Sequence, residues 1–413
     1  MKKIIGLLVG IIVLGVGLYA GATSFKQEAK VKKEIEVTEK EPTDKTTESI
    51  SPTKDQQLMK NEQDETKEEK TKEKKAEIKA AVTIDQRIAE MSLEEKVGQL
   101  FLVRVPEANQ LNDIKEYHLG GYVLFSRDME GETRASLKAK IASYQATSSI
   151  PLLIASDEEG GTVSRLSTGS NLVDTPLLSP QELYQAGEWQ AIRQDITDKA
   201  AIFSDYGIHT GLAPVADIST DPASFIYDRT IGLDRKATEK YVVTAVEEMK
   251  KHKIGSTLKH FPGYGNNRDS HVDIVTDNRP LTELEENDYK PFEAGIKAGA
   301  DSILVSHNII EALDASLPAS ISKPVHDEIR NKLGFDGVVM TDDMDMAGLA
   351  DFISQEEAGM LALKAGNDLI LSSSYDRQIP YVIESVEQGE LKETQIDASV
   401  KRVLTWKEKL GLL

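Results

Sequence analysis

The chain has 413 residues, no cysteine and a formal net charge of −20 at pH 7. The absence of cysteine excludes disulfides, thiolate zinc sites, a cysteine nucleophile and a lipid-modified cysteine. The first 80 residues are nearly balanced in charge, so the acidity belongs to the remainder of the chain. This argues against nucleic acid or anionic lipid as a ligand of that part.

The chain starts with a short basic stretch and an uncharged apolar run from Ile4 to about Ala20. This pattern is typical of an export signal, and the small residues at 20–22 resemble a cleavage site. The run is nevertheless longer than the ~7–15 residues of a usual signal core and close to the ~17 needed to span a membrane. We therefore predict that residues 1–22 are a cleaved signal peptide or a membrane anchor. The protein would be extracellular or at the cell surface, with membrane contact through this segment alone.

Residues 23–80 are dominated by Lys, Glu, Thr, Asp and Gln, with scattered apolar residues and no sustained helical stripe. Such a segment cannot bury enough apolar surface to offset the entropy lost on ordering, so we predict a disordered linker. A solvated helical stalk over residues 61–80 is the alternative.

From residue 81 to 413, short β-branched runs alternate with segments that have apolar residues at three- and four-residue spacing. The predicted strands span 99–103, 121–125, 151–156, 209–215, 255–260, 301–306, 337–341 and 368–372. The clearest helical patterns span 241–252, 282–299, 324–333 and 355–365. This alternation predicts an α/β domain with a parallel sheet, and the count of eight strands favours a (β/α)₈ barrel of the TIM type. A doubly wound open sheet is the alternative, but residues 103–106 lack its glycine-rich phosphate turn.

Polar residues follow nearly every predicted strand, which is where catalytic residues lie in a (β/α)₈ barrel. In chain order these residues are Arg104, Ser126, Arg127, Asp157, Asp217, Lys259, His260, His307, Asp342 and Ser373. Turn chemistry alone does not require so many lysine, histidine and aspartate residues.

Four of these strand ends carry longer motifs: DEEGGTVSR (157–165), GLAPVAD (211–217), KHFPGYG followed by DSH (259–271), and GFDGVVMTDDMDM (334–346). Together they resemble glycoside hydrolase family 3, especially its β-N-acetylglucosaminidase branch. The resemblance extends over nearly all of the predicted domain and implies a (β/α)₈ barrel enzyme.

The resemblance also implies catalytic roles. Asp342 would be the nucleophile that forms a covalent glycosyl-enzyme, and Asp343 and Asp345 are neighbouring carboxylates that could instead cap a helix. His271 would be the acid/base, paired with Asp269 on a glycine-containing loop. Histidine titrates near neutrality, and a nearby carboxylate can orient its ring and stabilise the imidazolium. A surface Asp/His pair in a polar loop is the alternative.

The resemblance further implies a set of residues that hydrogen-bond the sugar: Asp157, Arg165, Arg229, Lys259 and His260. A carboxylate accepts from sugar hydroxyls, and arginine and lysine donate to them. Arg165 could instead cap a helix C-terminus, and Lys259 could pair with Asp217. His307 would line the pocket or support it.

Two positions depart from the family pattern. Tyr264 stands where the family often has histidine or aspartate, and we expect it to alter the loop or a neighbouring subsite. Glu158 occupies a variable position, where an additional carboxylate could disfavour anionic groups nearby.

These observations predict a retaining exo-β-N-acetylglucosaminidase, a β-N-acetylhexosaminidase that acts through a glycosyl-aspartate intermediate. Its partner would be a glycan that contains N-acetylglucosamine, from peptidoglycan fragments or a related cell-surface glycan. We expect a monomer and no metal or organic cofactor. A phosphorylase is the alternative within glycosyl chemistry, because a neutral histidine repels phosphate less than a carboxylate does. An exported enzyme meets water more reliably than concentrated phosphate, which favours hydrolysis.

Two other classes are considered. A metal-dependent barrel hydrolase would use side chains from the set His260, His271, His307, Asp217 and Asp342, but the first strand lacks the paired histidines common in such sites. A non-catalytic wall-binding module on a stalk is disfavoured because every catalytic position holds a competent residue.

Overall fold

Parallel strands and helices alternate along the chain in the computed structural model, which describes residues 82–167, 171–268 and 274–413. These residues belong to one unit, Ala80–Leu413. The predicted signal or anchor at 1–22 and the predicted linker at 23–80 lie outside the described residues. Within the described part of the chain, no helix is long and apolar enough to cross a membrane.

The strands are β1 (Phe101–Arg104), β2 (Gly121–Leu124), β3 (Leu153–Ser156), β4 (Glu158–Gly160), β5 (Val163–Ser164), β6 (Thr257–Phe261), β7 (Thr276–Asp277), β8 (Ser302–Val305), β9 (Ile309–Ile310), β10 (Val338–Thr341) and β11 (Ile370–Ser372). They form one parallel sheet in the order β11-β1-β2-β3 and another in the order β10-β8-β6. The residues of these strands are almost all buried, as expected for parallel strands covered by helices on the outside.

Single parallel bridges join the edges of the two sheets. On one side Thr210 bridges Ala155 and Gly255, and Val215 bridges Lys259; on the other side Met340 bridges Leu369. The sequence predicts a regular strand over 209–215, but the structure forms bridges there instead. Two features of the segment explain the difference: Pro214 has no N–H to donate, and Leu212 has a φ of 44°, outside the extended region.

The helices are α1 (Ile84–Glu90), α2 (Leu93–Gly98), α3 (Gln110–Glu116), α4 (Ser126–Met129), α5 (Arg134–Thr147), α6 (Pro180–Tyr206), α7 (Arg235–Lys251), α8 (Leu281–Glu283), α9 (Tyr289–Ala298), α10 (Lys323–Asp327), α11 (Ala347–Ala350), α12 (Gln355–Ala365), α13 (Tyr375–Glu387) and α14 (Glu393–Lys409). Wider π-type turns continue α8 into α9 (Leu284–Asp288) and extend α10 (Glu328–Lys332). The helix predicted over 355–365 forms with those bounds as α12.

Local sequence explains where several helices begin. Ser92 and Ser179 each accept a hydrogen bond from the backbone N–H three residues later, and the glutamate at that later position bonds back to the serine N–H. This reciprocal capping satisfies two donors that a helix N-terminus leaves unpaired. Pro180 at the first turn of α6 removes a further one.

A short antiparallel hairpin, β4–β5, follows β3 directly. Its turn contains Gly160 and Gly161, with φ of 98° and 60°. A Cβ atom on Gly160 would lie 2.0 Å from the carbonyl oxygen of Leu178, so this position requires glycine for space as well as conformation. The hairpin extends from the carboxyl end of β3, next to the candidate site.

Candidate active site

The carboxyl ends of β3 and β6 bring a carboxylate and a lysine together. Lys259 Nζ lies 3.1 Å from Asp157 Oδ1, and Arg165 Nη2 lies 2.9 Å from Asp157 Oδ2. Burial by itself would raise the pKa of Asp157, but Lys259 and Arg165 hold that pKa well below its usual range. Asp157 is therefore an ionised acceptor. Lys259 therefore pairs with Asp157 and Glu159, and the alternative in which it pairs with Asp217 is wrong, because Asp217 pairs with His260. Arg165 contacts Asp157 directly.

Glu159 is a second buried carboxylate in this cluster, and the sequence analysis did not single it out. Arg229 binds it through two parallel contacts, Nε to Oε2 at 2.9 Å and Nη2 to Oε1 at 2.8 Å, and Lys259 Nζ lies 2.5 Å from Oε1. Burial opposes ionisation of Glu159, yet Arg229 and Lys259 lower its pKa below the ordinary value.

The alternation of side chains in an extended segment could have identified Glu159. Residues two apart project to the same side, so Asp157 and Glu159 share one side of the hairpin and Glu158 takes the other. Glu158 is buried and does not line the cavity described below. Glu158 therefore does not contact a group bound in that cavity directly, and its effect on anionic groups nearby stays a prediction.

The hydrogen bonds of His260 define its tautomer. Its Nε2 lies 3.0 Å from Arg229 Nη2, which can only donate, so Nε2 accepts and carries no proton. Its Nδ1 then donates to Asp217 Oδ2 at 2.7 Å. Burial and the nearby Arg229 lower the pKa of His260, although Asp217 opposes this. His260 is a neutral imidazole with both ring nitrogens bonded to protein groups.

Tyr264 supports this histidine. Its backbone N–H donates to Asp217 Oδ1 at 2.7 Å, and its buried ring lies edge-on to His260 at 5.0 Å between centroids. Tyr264 does not line the cavity, and its effect on the loop or a neighbouring subsite stays a prediction. Its contacts tie the start of the following loop to Asp217.

Three aspartates follow β10, and each has a different environment. Asp342 Oδ1 accepts from the backbone N–H of Asp343 at 2.8 Å. Asp343 forms an ion pair with Arg104; burial raises the pKa of Asp343 to about 6, although Arg104 opposes this. Asp345 accepts from Ser374 Oγ at 2.5 Å and from the hydroxyl of Ser372 at 3.0 Å, which ties the segment to the end of β11. Helix α11 starts at Ala347 without a side-chain cap, so neither Asp343 nor Asp345 caps it. Asp345 Oδ2 instead accepts from the backbone N–H of Ser374, the N-cap residue of α13, at 3.3 Å.

His307 lies beneath this segment. Its Nε2 donates to the backbone carbonyl of Asp343 at 2.9 Å, and its Nδ1 accepts from the Ser320 hydroxyl at 2.7 Å. It does not line the cavity, so it supports the backbone that carries Asp342 and Asp343.

A cavity of about 170 Å³ lies at these strand ends. Its walls contain every described residue of the predicted site: Asp157, Arg165, Arg229, Lys259, His260 and Asp342. Arg104, Phe125 and Asp343 also line it, and Phe125 packs beneath the guanidinium of Arg104 at 4.2 Å from the ring centroid. The predicted acid/base pair, His271 and Asp269, lies outside the described residues.

The proposed set of metal ligands does not assemble in the described part of the chain. No group of three or more His, Asp and Glu residues there is arranged to hold a metal ion. His260 faces a guanidinium and Asp217, whereas His307 faces Ser320 and a backbone carbonyl. A metal would have to displace these hydrogen bonds.

Comparison with known proteins supports the resemblance. A family model described as the N-terminal domain of glycosyl hydrolase family 3 matches residues 92–406. The chain belongs to glycosyl hydrolase family 3. Among curated proteins, this family 3 enzyme is 32% identical over 332 residues to beta-hexosaminidase LpqI of Mycobacterium tuberculosis, covering 77% of this chain and 84% of that protein. It is 34% identical over 260 residues to a beta-hexosaminidase of Xanthomonas campestris, covering 61% of this chain and 76% of that protein.

Solved structures of family 3 proteins share the fold. A family 3 β-N-acetylglucosaminidase from Paenibacillus sp. aligns with a TM-score of 0.73 at 29% identity, covering 78% of this chain and 63% of that one. The structure of M. tuberculosis LpqI aligns with a TM-score of 0.71 at 31% identity, covering 78% of this chain and 96% of that one. The α/β fold with parallel strands predicted from the sequence is confirmed.

Proposed function

We propose that this family 3 glycoside hydrolase is a retaining exo-β-N-acetylglucosaminidase. The cavity that combines ionised Asp157, its two bound cations and Asp342 carries the proposal, because it provides hydroxyl-binding groups and a carboxylate at one place. The names of the relatives, beta-hexosaminidase and β-N-acetylglucosaminidase, support the same activity.

We infer that the strands form a closed (β/α)₈ barrel. Two parallel sheets whose edges are joined by bridges on both sides support this architecture. The residues 209–215 would take the place of the fourth strand. The cavity then occupies the carboxyl end of the barrel, where enzymes of this fold place their active sites.

In the proposed reaction, Asp342 attacks the anomeric carbon and displaces the aglycone oxygen. The backbone N–H of Asp343 donates to one oxygen of the Asp342 carboxylate, and this hydrogen bond restricts the rotation of the nucleophile. Asp157, with Arg165 and Lys259 beside it, would hold neighbouring sugar hydroxyls. His271, oriented by Asp269, would protonate the departing oxygen and then activate the water that releases the sugar.

Four further residues would have a positioning role in this scheme: Glu159, Arg229, Asp217 and His260. Their hydrogen bonds to one another use most of their polar atoms, so they hold Lys259 and the start of the 263–268 segment in place. Arg229 and His260 also line the cavity, where they would contact the sugar.

We further propose that residues 81–413 are the catalytic domain, that residues 1–22 export or anchor it and that residues 23–80 are a linker. The substrate would be terminal N-acetylglucosamine on peptidoglycan fragments or related surface glycans. The protein would act on it outside the cell, as a monomer. A relative named as a secreted glycosyl hydrolase supports the location.

The test is to incubate the purified full chain with aryl β-N-acetylglucosaminide and with the matching aryl β-glucoside, with and without phosphate. We expect release of the phenol from the first substrate, with retained β-configuration in the sugar and no dependence on phosphate. Preference for the glucoside would contradict the proposed substrate. Formation of a sugar phosphate would show that the enzyme is a phosphorylase and not a hydrolase.

A further inference from the structure

The side chain of Glu158 is only 1% exposed, yet its carboxylate accepts three hydrogen bonds. Oε1 accepts from the Ser156 hydroxyl at 2.7 Å and from the backbone N–H of Leu166 at 3.0 Å. Oε2 accepts from the Ser164 hydroxyl at 2.7 Å. All three donors are neutral.

The three donors surround the pair formed by Asp157 and Arg165. Ser156 immediately precedes Asp157, whereas Ser164 and Leu166 flank Arg165 on either side. One carboxylate therefore fixes the chain at both members of the pair, from the side opposite the cavity.

The contacts continue beyond this pair. Ser164 Oγ lies 2.7 Å from Ser167 Oγ, which accepts from the backbone N–H of Leu177 at 2.9 Å. The hairpin is thus joined to the segment before α6. Replacing Glu158 would loosen a connected group of hydrogen bonds and not a single contact.

We propose that Glu158 is a positioning residue for substrate binding, whose ionised carboxylate holds Asp157 and Arg165 in the geometry that binds the sugar. This inference rests on the proposed function, since it takes Asp157 and Arg165 as sugar-binding groups.

The surroundings of Glu158 bring its pKa into the neutral range. The small void lined by Glu158 is also lined by Lys199 and Asp195 of α6, by Tyr241 of α7 and by Glu159. Lys199 forms its ion pair with Asp195, at 2.8 Å, and only weakly offsets the burial of Glu158. Burial raises the pKa of Glu158 to about 7, although the bonds from Ser164, Ser156 and Leu166 oppose the rise. Burial also raises the pKa of Tyr241, so that group stays neutral.

Protonation of Glu158 removes the negative charge that strengthens the hydrogen bonds from the three neutral donors, although the carboxyl oxygens keep lone pairs that can accept them. A glutamine at 158 keeps a carbonyl oxygen for Ser156 and Leu166, and its amide can donate to the Ser164 hydroxyl, which can donate onward to Ser167. Because an amide does not titrate, Glu158→Gln separates the charge from the hydrogen-bonding shape.

The experiment measures KM and kcat for aryl β-N-acetylglucosaminide and Kd for free N-acetylglucosamine, from pH 5.5 to 8.5, in three full-length proteins. At pH 8, Glu158→Ala should raise KM and Kd about tenfold and change kcat less than about threefold, because ground-state binding is lost. Glu158→Gln has the uncharged hydrogen-bonding pattern of the protonated acid, so at pH 8 it should raise Kd about twofold to threefold, to the value that the wild type reaches below pH 7. The wild-type Kd should rise below pH 7, whereas the Kd of Glu158→Gln should not share this rise.

The proposal is overturned by a folded Glu158→Ala protein with wild-type KM and Kd, or by identical pH profiles for wild type and Glu158→Gln. Where Glu158→Ala does not fold, Ser164→Ala removes one donor only and should raise Kd about twofold to threefold; an unchanged Kd would overturn the proposal equally. A wild type that binds the sugar but does not hydrolyse the substrate contradicts the proposed function while the Kd comparison still decides the role of Glu158. A wild type that neither binds nor hydrolyses overturns both.

Discussion

Two acidic runs at the cavity, 157–159 after β3 and 342–345 after β10, differ in how their buried carboxylates are compensated. Asp157 contacts Lys259 and Arg165, and Glu159 contacts Arg229 and Lys259; both pKa values are lowered despite burial. Asp343 contacts Arg104, and its pKa is raised.

Glu158 completes the series. Within the described residues it accepts from neutral donors alone, and its pKa is raised further, to about 7. Desolvation is the largest influence on the pKa of each of these groups, so the number of contacting cations decides whether the pKa of a buried carboxylate is lowered or raised. The β3 run is built to keep charge, whereas Asp343 and Glu158 are close to losing it.

The largest expected effect concerns Asp342, the proposed nucleophile in the second run. Asp342→Ala should lose several orders of magnitude in kcat and remain folded, because no other group would form the covalent intermediate. Asp343→Ala, at the neighbouring position, is the matched control and should lose much less. Steady-state kinetics on an aryl β-N-acetylglucosaminide would measure both. Equal losses in the two variants would remove the assignment of Asp342.

The next effect tests the two-cation arrangement. Lys259 is 2% exposed and shared by Asp157 and Glu159, so Lys259→Met leaves each carboxylate with a single cation. We expect a loss of about 3–5 kcal/mol in the free energy of unfolding at pH 7, measured by urea titration. Lys323→Met, which breaks an exposed pair with Asp327, should cost less than about 1 kcal/mol.

That cost should also depend on pH. Because the pKa values of Asp157 and Glu159 are lower in the folded than in the unfolded protein, both groups contribute stability at any pH above their unfolded-state pKa values. This contribution disappears as the pH falls through their folded-state pKa values. The difference between wild type and Lys259→Met should therefore be largest near neutrality and shrink in acid. A difference that is constant down to pH 3 would show that Lys259 stabilises by packing instead.

Lys407 offers the reverse case, a buried cation whose described contact is with an amide. It is fully buried, its Nζ donates to Gln99 Oε1 at 2.7 Å, and burial lowers its pKa to about 7. Lys407→Met should therefore raise the free energy of unfolding by about 2 kcal/mol at pH 6, measured by denaturant or thermal unfolding.

The sign of this effect follows from proton binding. In the unfolded chain Lys407 binds a proton below its ordinary pKa of 10.5, whereas in the folded chain it does so only below a pKa of about 7. Wild-type stability is therefore penalised progressively as the pH falls from about 10.5 to 7, and the advantage of Lys407→Met should grow over that range. Lys96→Met is the control: Lys96 is buried against Glu393 and Asp397, so its replacement should bring no gain. A pH-independent advantage for Lys407→Met would contradict the prediction.

The smallest effect concerns the single cation on Asp343. Arg104→Met should raise the pKa of Asp343 above about 6, because only the hydrogen bond from the Asp345 N–H would then oppose burial. We expect a loss of about 1–2 kcal/mol at pH 8 that diminishes below pH 6, where Asp343 is protonated in both proteins. Unfolding at the two pH values measures it. Arg377→Met, which affects a more exposed arginine paired with the exposed Glu356, should show no such pH dependence.

The sequence predicted much of the site because each chemical group had to follow a strand. Asp157 and Asp342 directly follow β3 and β10, as predicted, whereas Lys259 and His260 lie within the last residues of β6. The structure brings all four to one cavity with Arg165 and Arg229. The sequence did not reveal which cation pairs with which carboxylate. Those pairs join residues 70 and 102 positions apart, Arg229 with Glu159 and Lys259 with Asp157, and local pattern carries no information on them.

By itself, the sequence determined the alternation of parallel strands and helices, since apolar periodicity and capping residues act over a few positions. It also determined which kinds of side chain follow the strands. Only the tertiary structure decided that residues 209–215 form bridges instead of a regular strand. It also decided that His260 is neutral with its proton on Nδ1, and that Glu158 is buried behind the pair formed by Asp157 and Arg165. These outcomes depend on partners distant in the chain and on their desolvation, which arise only when the strand ends meet.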